Sequence, residues 1–142
     1  MTAIAQMNWG RMKYAPDDPR LMPFMGELDR VYGLAEAHPG FLWRMADEEV
    51  ARQLAELGHD DRMSATVSTW KSIADLKDYT FNSDHGVFLK RASEWFEPLP
   101  GPRLVIWGAT DDARPDFREA FERLDHLSRY GDSDFAYGWP VD

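Results

Sequence analysis

Bulky side chains at both odd and even positions in the second and fourth of four strand-like segments limit the possible folds more than any other feature of the chain. The segments are Ala3 to Lys13, Phe41 to Ala46 ("FLWRMA"), Met63 to Lys71 ("MSATVSTWK") and Leu104 to Thr110 ("LVIWGAT"). Side chains of a strand alternate between two faces, so a sheet with one wet face shows a polar residue at every second position. Simple alternation sets Phe41 and Trp43 on one side of the second segment, with Leu42 and Arg44 on the other. In the fourth, Leu104 and Ile106 oppose Val105 and Trp107. Neither face of such a sheet is expected to meet bulk water.

Between these strands the periodicity changes to that of helices. Asp18 is placed as an N-cap with Pro19 at the first helical position, and Leu21, Met25, Leu28, Tyr32 and Ala35 follow at helical spacing to about His38. The acidic stretch from Asp47 to Asp61 holds Val50, Leu54 and Leu57, enough for a short helix. Ser72 with Asp75 resembles a capping box for a helix through about Phe81, and "NSD" recaps a further segment from His85 to Phe96. Pro115 opens a last helix that ends at Tyr130-Gly131, and "DFAYGW" has the character of a short edge strand. The order is β-α-β-β-α-β with an extra helix. It predicts an α+β, ferredoxin-like antiparallel sheet with helices on one face, in a single domain over 1–142. A homodimer packing sheet against sheet would cover the other face, giving a dimeric α/β barrel.

Composition narrows the function classes. A net charge of −9 repels polyphosphate, so no nucleic acid is expected as partner, and an anionic membrane surface is disfavoured for the same reason. There are no cysteines, which excludes disulfides, thiolate metal sites and cysteine nucleophiles. The N-terminus lacks the pattern of a signal peptide and no apolar run is long enough to span a bilayer, so a cytoplasmic protein is expected. Six tryptophans and eight phenylalanines point to bulky aromatic packing or a cavity lined by it.

His85 is the first chemical candidate. At a helix N-terminus the dipole disfavours imidazolium, and a neutral imidazole can accept a proton, polarise a carbonyl or ligate iron. Its plainer role is to satisfy backbone donors beside Ser83 and Asp84. His38, His59 and His126 read as a helix-end residue, a loop residue and a locally bonded one. No histidine–carboxylate spacing marks a metal site, and none is expected. On the strands, Gln6 and Asn8 share one face, as do Ser68 and Trp70; Trp43, Arg44 and Trp107 lie on the second and fourth strands, and Tyr79 on the helix before His85. If Asn8, Arg44, Trp70 and Trp107 point away from the helices, they converge on an aromatic pocket with a few polar groups, the usual composition of a small-molecule site. Arg44, or the amides of Asn8 and Gln6, would then stabilise an enolate. The plainer alternative has Trp70 and Trp107 filling a dimer core while Arg44 pairs with a carboxylate.

The blocks "AQMN", "PGFLWR", "STWKS", "SDHGVFLKRASEWFEP", "LVIWG" and "EAFERLDHLSRYG" occur in that order. Together, from about Ala3 to Tyr137, they resemble a bacterial family known as domain of unknown function 3291. That family is similar to the dimeric α/β-barrel superfamily, which includes antibiotic-biosynthesis monooxygenases, haem-degrading oxygenases and chlorite-dismutase-like proteins. The resemblance implies the fold and the dimer, whereas function is shared less widely than fold. Three expectations follow from the residues and the resemblance together. The first is an enzyme on an aromatic or polyketide-like metabolite, a cofactor-independent monooxygenase or a related isomerase or cyclase. In it His85 is the base, Asn8 and Arg44 act with it, and Gln6, Trp43, Ser68, Trp70, Tyr79 and Trp107 hold the substrate. The second is a haem protein with His85 as axial ligand, and the third a non-catalytic ligand-binding dimer.

Overall fold

The computed structural model describes residues 3–82 and 90–140. Its centre is the first strand, β1 (Ala3–Arg11), paired antiparallel on one side with β3 (Met63–Trp70) and on the other with β4 (Leu104–Ala109). The short β2 (Phe41–Arg44) extends β3, which gives the strand order β2-β3-β1-β4. That order is the ferredoxin-like arrangement expected from the element sequence.

Some of the helices begin and end at the signals the chain carries. The Asp18 carboxylate accepts the Arg20 backbone N–H and Pro19 opens a 3-10 turn over Pro19–Leu21. The long helix anticipated to His38 is instead broken: α1 (Met22–Met25) stops at Gly26, and α2 (Leu28–Glu36) starts afresh after Glu27. Next come α3 (Asp47–Glu56) in the acidic stretch and α4 (Ile73–Asn82), where the Asp75 N–H donates to Ser72 Oγ and the Ser72 hydroxyl to the Asp75 carboxylate. The segment expected as helix from His85 to Phe96 is described only from residue 90 onward, where α5 (Ala92–Trp95) is a single turn. The last helix, α6 (Phe117–Tyr130), is capped by Asp116 rather than opened by Pro115, and it closes on Gly131 at φ 78°. "DFAYGW" supplies one bridge, between Ile106 and Tyr137, instead of a strand. No helix among the described residues is long and apolar enough to cross a membrane.

The two faces of the sheet are each covered from within the chain. On one, Ile4, Trp70 and Ile106 pack under Val31 and Ala35 of α2 and Leu76 and Tyr79 of α4. These are the crossover helices of the ferredoxin-like core. On the other, Ala5, Met7, Val67, Val105 and Trp107 pack under Leu54 of α3 and Phe117, Ala120 and Leu124 of α6. The second apolar face is therefore real, as the mixed parity of the strands demanded, but two further helices seal it. Helices lie on both faces, and the apolar pattern no longer calls for a twin subunit. Trp107, only 2% exposed, is core.

One irregularity decides what β2 presents. Phe41 pairs with Trp70 and Arg44 with Ser68, while Trp43 pairs with Thr69, so the register shifts between Phe41 and Trp43. An extra residue in one strand reverses the alternation beyond it. Phe41 and Arg44 consequently share the face of Trp70, and Trp43 turns to the other side, against the cluster containing Trp107. Simple alternation had placed Phe41 with Trp43.

Phe117 is wholly buried where α6 meets the sheet. Phe117→Ala is expected to lower stability by about 3–5 kcal/mol, the usual cost of emptying an aromatic site, seen as a lower urea midpoint with native-like circular dichroism in the absence of urea.

Candidate functional site

Between the sheet and the crossover helices lies a cavity of about 620 Å³. It exists because that face of the sheet is not uniformly apolar. Alternation on β1 sends Gln6, Asn8 and Gly10 to this side, and their partners across the ladder are Ser68, Thr66 and Ser64. Three pairs of small or polar residues thus form a floor, and no large side chain rises from them to meet the helices.

The floor is internally bonded. Gln6, 3% exposed, donates its Nε2–H to Ser68 Oγ at 2.7 Å. Asn8 donates from Nδ2 to Gln6 Oε1 at 3.2 Å, and the Trp70 indole N–H donates to the same Ser68 oxygen at 2.9 Å. Aromatic rings close both ends. At one, Trp70 stacks on Tyr79 with centroids 5.2 Å apart and meets the edge of Phe41 at 5.5 Å. At the other, Phe24 contacts Trp95 and Phe96, and the Phe96 ring lies directly on Gly10, where an added Cβ would come within 2.8 Å of it. Glycine at position 10 is what lets that ring reach the sheet.

Of the residues singled out from sequence, Gln6, Asn8, Arg44, Ser68, Trp70 and Tyr79 all line this cavity. They converge as anticipated, but beneath the crossover helices rather than on the side away from them. Trp43 and Trp107 belong to the opposite face and contribute to packing there. His85 lies outside the described residues. Arg44 sits at the rim, with its guanidinium over the Tyr32 ring at 4.4 Å, bonded to Asp47 at 3.1 Å and facing Glu36 at 3.5 Å. The carboxylate partnership considered for Arg44 is therefore made within the chain. His38, read as a helix-end residue, stands behind the wall. Its Nδ1 accepts the Gly40 N–H, so Nε2 carries the proton toward Asp78 at 2.9 Å, and the ring meets Trp70 edge-on at 5.5 Å.

Ser64, Thr66 and Tyr32 also line the cavity and were not singled out as site residues from sequence. A signal for two of them was present: Ser64, Thr66 and Ser68 repeat with period two in "MSATVSTWK", a row of hydroxyls on one face of a strand.

The titratable side chains among the described lining residues are Glu27, Tyr32, Arg44, Tyr79 and Arg103. Glu27 pairs with Arg30. Burial pushes the Tyr79 phenol well above its ordinary value; its hydroxyl donates to the Val31 carbonyl at 3.1 Å. Burial raises Tyr32 too, helped by the Asp47 carboxylate. Burial works against the Arg44 charge, but the bond to Asp47 and the carboxylates of Asp47 and Glu36 outweigh it and hold the group cationic. Besides the charged Glu27, Arg44 and Arg103, the cavity thus offers neutral phenols, hydroxyls and amides. Among the described residues no cluster of three or more histidines, cysteines or carboxylates could hold a metal ion.

A family model described as "Domain of unknown function" (DUF3291) matches residues 3–141. No curated protein matches the chain. Among solved structures, the chain is similar to a protein of unknown function from Nitrosomonas europaea, with 14% identity, 82% of this chain and 97% of that one covered, and a TM-score of 0.53. It is also similar to a conserved protein from Methanosarcina mazei, with 17% identity, 75% and 92% covered, and a TM-score of 0.53. SnoaB from Streptomyces nogalater, described as a cofactor-independent oxygenase, superposes at a TM-score of 0.48 with 14% identity, 82% and 100% covered. At these identities the shared property is the fold, and the third superposition is too loose to bear on chemistry.

The raised Tyr79 phenol has a consequence for stability. A group whose folded pKa exceeds its unfolded value of 10.0 contributes stability that is complete below pH 10 and is lost as pH climbs toward the folded value. Tyr79→Phe is expected to unfold less steeply with rising pH above about 10 than the parent protein. Thermal melts between pH 8 and 11 measure this, and equal slopes for the two proteins would contradict it.

Proposed function

The chain belongs to the DUF3291 family, and from that premise and the cavity we propose that it is an enzyme acting on a planar, largely apolar metabolite of aromatic or polyketide-like type. The reaction is proton abstraction beside a carbonyl. A base takes the proton, the electron pair passes to the carbonyl oxygen as an enolate, and the amide and hydroxyl floor receives that oxygen. Addition of dioxygen at the same carbon, followed by loss of water, converts a CH2 to C=O without a cofactor. Reprotonation instead gives an isomerase or cyclase. The observation that carries this reading is the form of the cavity: about 620 Å³, aromatic at both ends, with a hydrogen-bonding strip across its floor. His85, the neutral imidazole expected from sequence, is assigned the part of base, and Asn8 with Gln6 holds the enolate. Arg44 acts from the rim.

One observation favours a second reading, a protein that binds such a molecule without turning it over. The described titratable residues of the cavity are arginines, which carry their protons, tyrosines raised by burial, and a single carboxylate, Glu27, that is already paired with Arg30. The haem reading depends on His85, which lies outside the described residues, because none of the described ones offers an axial ligand. No described imidazole lines the cavity, both nitrogens of His38 are occupied, and the Tyr79 hydroxyl is bonded to Val31.

Anthrone, a flat tricyclic ketone with an activated CH2, serves as probe. The enzyme reading expects anthrone binding and oxygen uptake that yields anthraquinone faster than spontaneous oxidation. It also expects a fall of about 10²–10⁴ in turnover for His85→Ala, the usual contribution of a general base, with binding retained. Binding with no acceleration would establish the second reading, and absence of binding would sink both.

A further inference from the structure

The polar floor has a direction. Ser68 is 7% exposed and its oxygen has two lone pairs. An indole nitrogen only donates, so the bond from Trp70 Nε1 at 2.9 Å occupies one of them. The bond from Gln6 Nε2 at 2.7 Å occupies the other, and the Gln6 amide is held in that orientation because its carbonyl oxygen receives the Asn8 amide at 3.2 Å. What Ser68 retains is its O–H, at the cavity wall. We propose that Ser68 is a specificity-determining residue that donates to its ligand and cannot accept from it, so that the site selects planar molecules presenting a ketone or quinone oxygen.

The selection rests on the binding reading above and adds a rule to it. A ligand lacking an acceptor leaves the hydroxyl hydrogen buried without a partner, and a buried donor without a partner is costly. A ligand presenting an N–H at that point meets an oxygen with no lone pair left. The rings of Trp70 and Tyr79 supply apolar area to all planar ligands alike, so they set affinity, and Ser68 chooses among ligands of one shape. Sites that read a polar group by hydrogen bonding discriminate better than apolar pockets that judge size alone.

Three planar tricyclic probes of nearly one shape test this: 9-fluorenone presents an acceptor, carbazole a donor, and fluorene neither. Calorimetric titration of the intact protein is expected to rank fluorenone about tenfold tighter than fluorene, one hydrogen bond's worth, with carbazole no tighter than fluorene. Ser68→Ala is expected to erase the ketone's advantage and leave the other two affinities unchanged. The carbonyl stretch of bound fluorenone should lie at lower frequency in the parent protein than in that variant. Should Ser68→Ala fail to fold, the ranking in the parent protein and the frequency of bound against free fluorenone decide the matter. Equal affinity for all three probes, or a preference for carbazole, would overturn the role of Ser68 while leaving the cavity a binding site. Failure of every probe to bind would overturn both.

Discussion

The pairing of β1 with β3 in a single register is the constraint from which the rest of the structure follows. It sets Gln6 opposite Ser68, Asn8 opposite Thr66 and Gly10 opposite Ser64 on one face, and Ala5, Met7 and Trp9 opposite Thr69, Val67 and Ala65 on the other. Because side chains alternate strictly, a slip of one residue would exchange the two sets. Met7 would then enter the cavity, and Gln6 would enter the core beneath α6. The hydrophobic clusters on the two faces therefore protect the polar floor. Their burial makes any other register expensive.

A bonded polar strip inside a protein is a liability unless every member finds a partner. Here the arrangement is economical. Ser68 serves as acceptor for a side chain from each neighbouring position, Gln6 across the ladder and Trp70 two residues on, while Gln6 in turn receives Asn8. The strip also explains why there is a cavity at all. A row of Leu and Ile in place of Ser64, Thr66 and Ser68 would rise to fill the space below α2 and α4. Small hydroxyl residues hold the volume open while the aromatic residues at either end support the helices above it. The space is thus open without rearrangement of the walls, and preorganisation of that kind lowers the cost of binding in general.

Much of this was legible in the chain, and the division between what could and could not be read is physical. The caps at Asp18, at Ser72 with Asp75, and at Gly131 depend on residues within a few positions of one another, and each was readable from local spacing. The strand order followed from the alternation of two periodicities. The covering of the second face was half legible: the mixed parity of β4 showed that something must lie over Val105 and Trp107. Whether a second subunit or the chain's own α3 and α6 did so depends on contacts between distant segments, which periodicity does not encode. The same limit applies to the site. Gln6, Asn8, Ser68 and Trp70 were identified as a set, but the side of the sheet they occupy is fixed only once the helices have chosen theirs. Trp107 was misplaced because its parity relative to Asn8 depends on the β1–β4 register, in which it stands opposite Ala5.

The irregularity in β2 carries an implication for how this chain can change over evolutionary time. Because the register shifts between Phe41 and Trp43, the strand spends one residue beyond strict alternation and delivers a ring and a guanidinium to the same side. With the shift removed and all four residues kept, Trp43 would stand opposite Ser68 and trade faces with Arg44. The indole would then crowd the cavity, and a charged group would be driven into the hydrocarbon beneath α3. The slip in pairing, rather than the residue it absorbs, is thus what any change in this four-residue strand has to preserve.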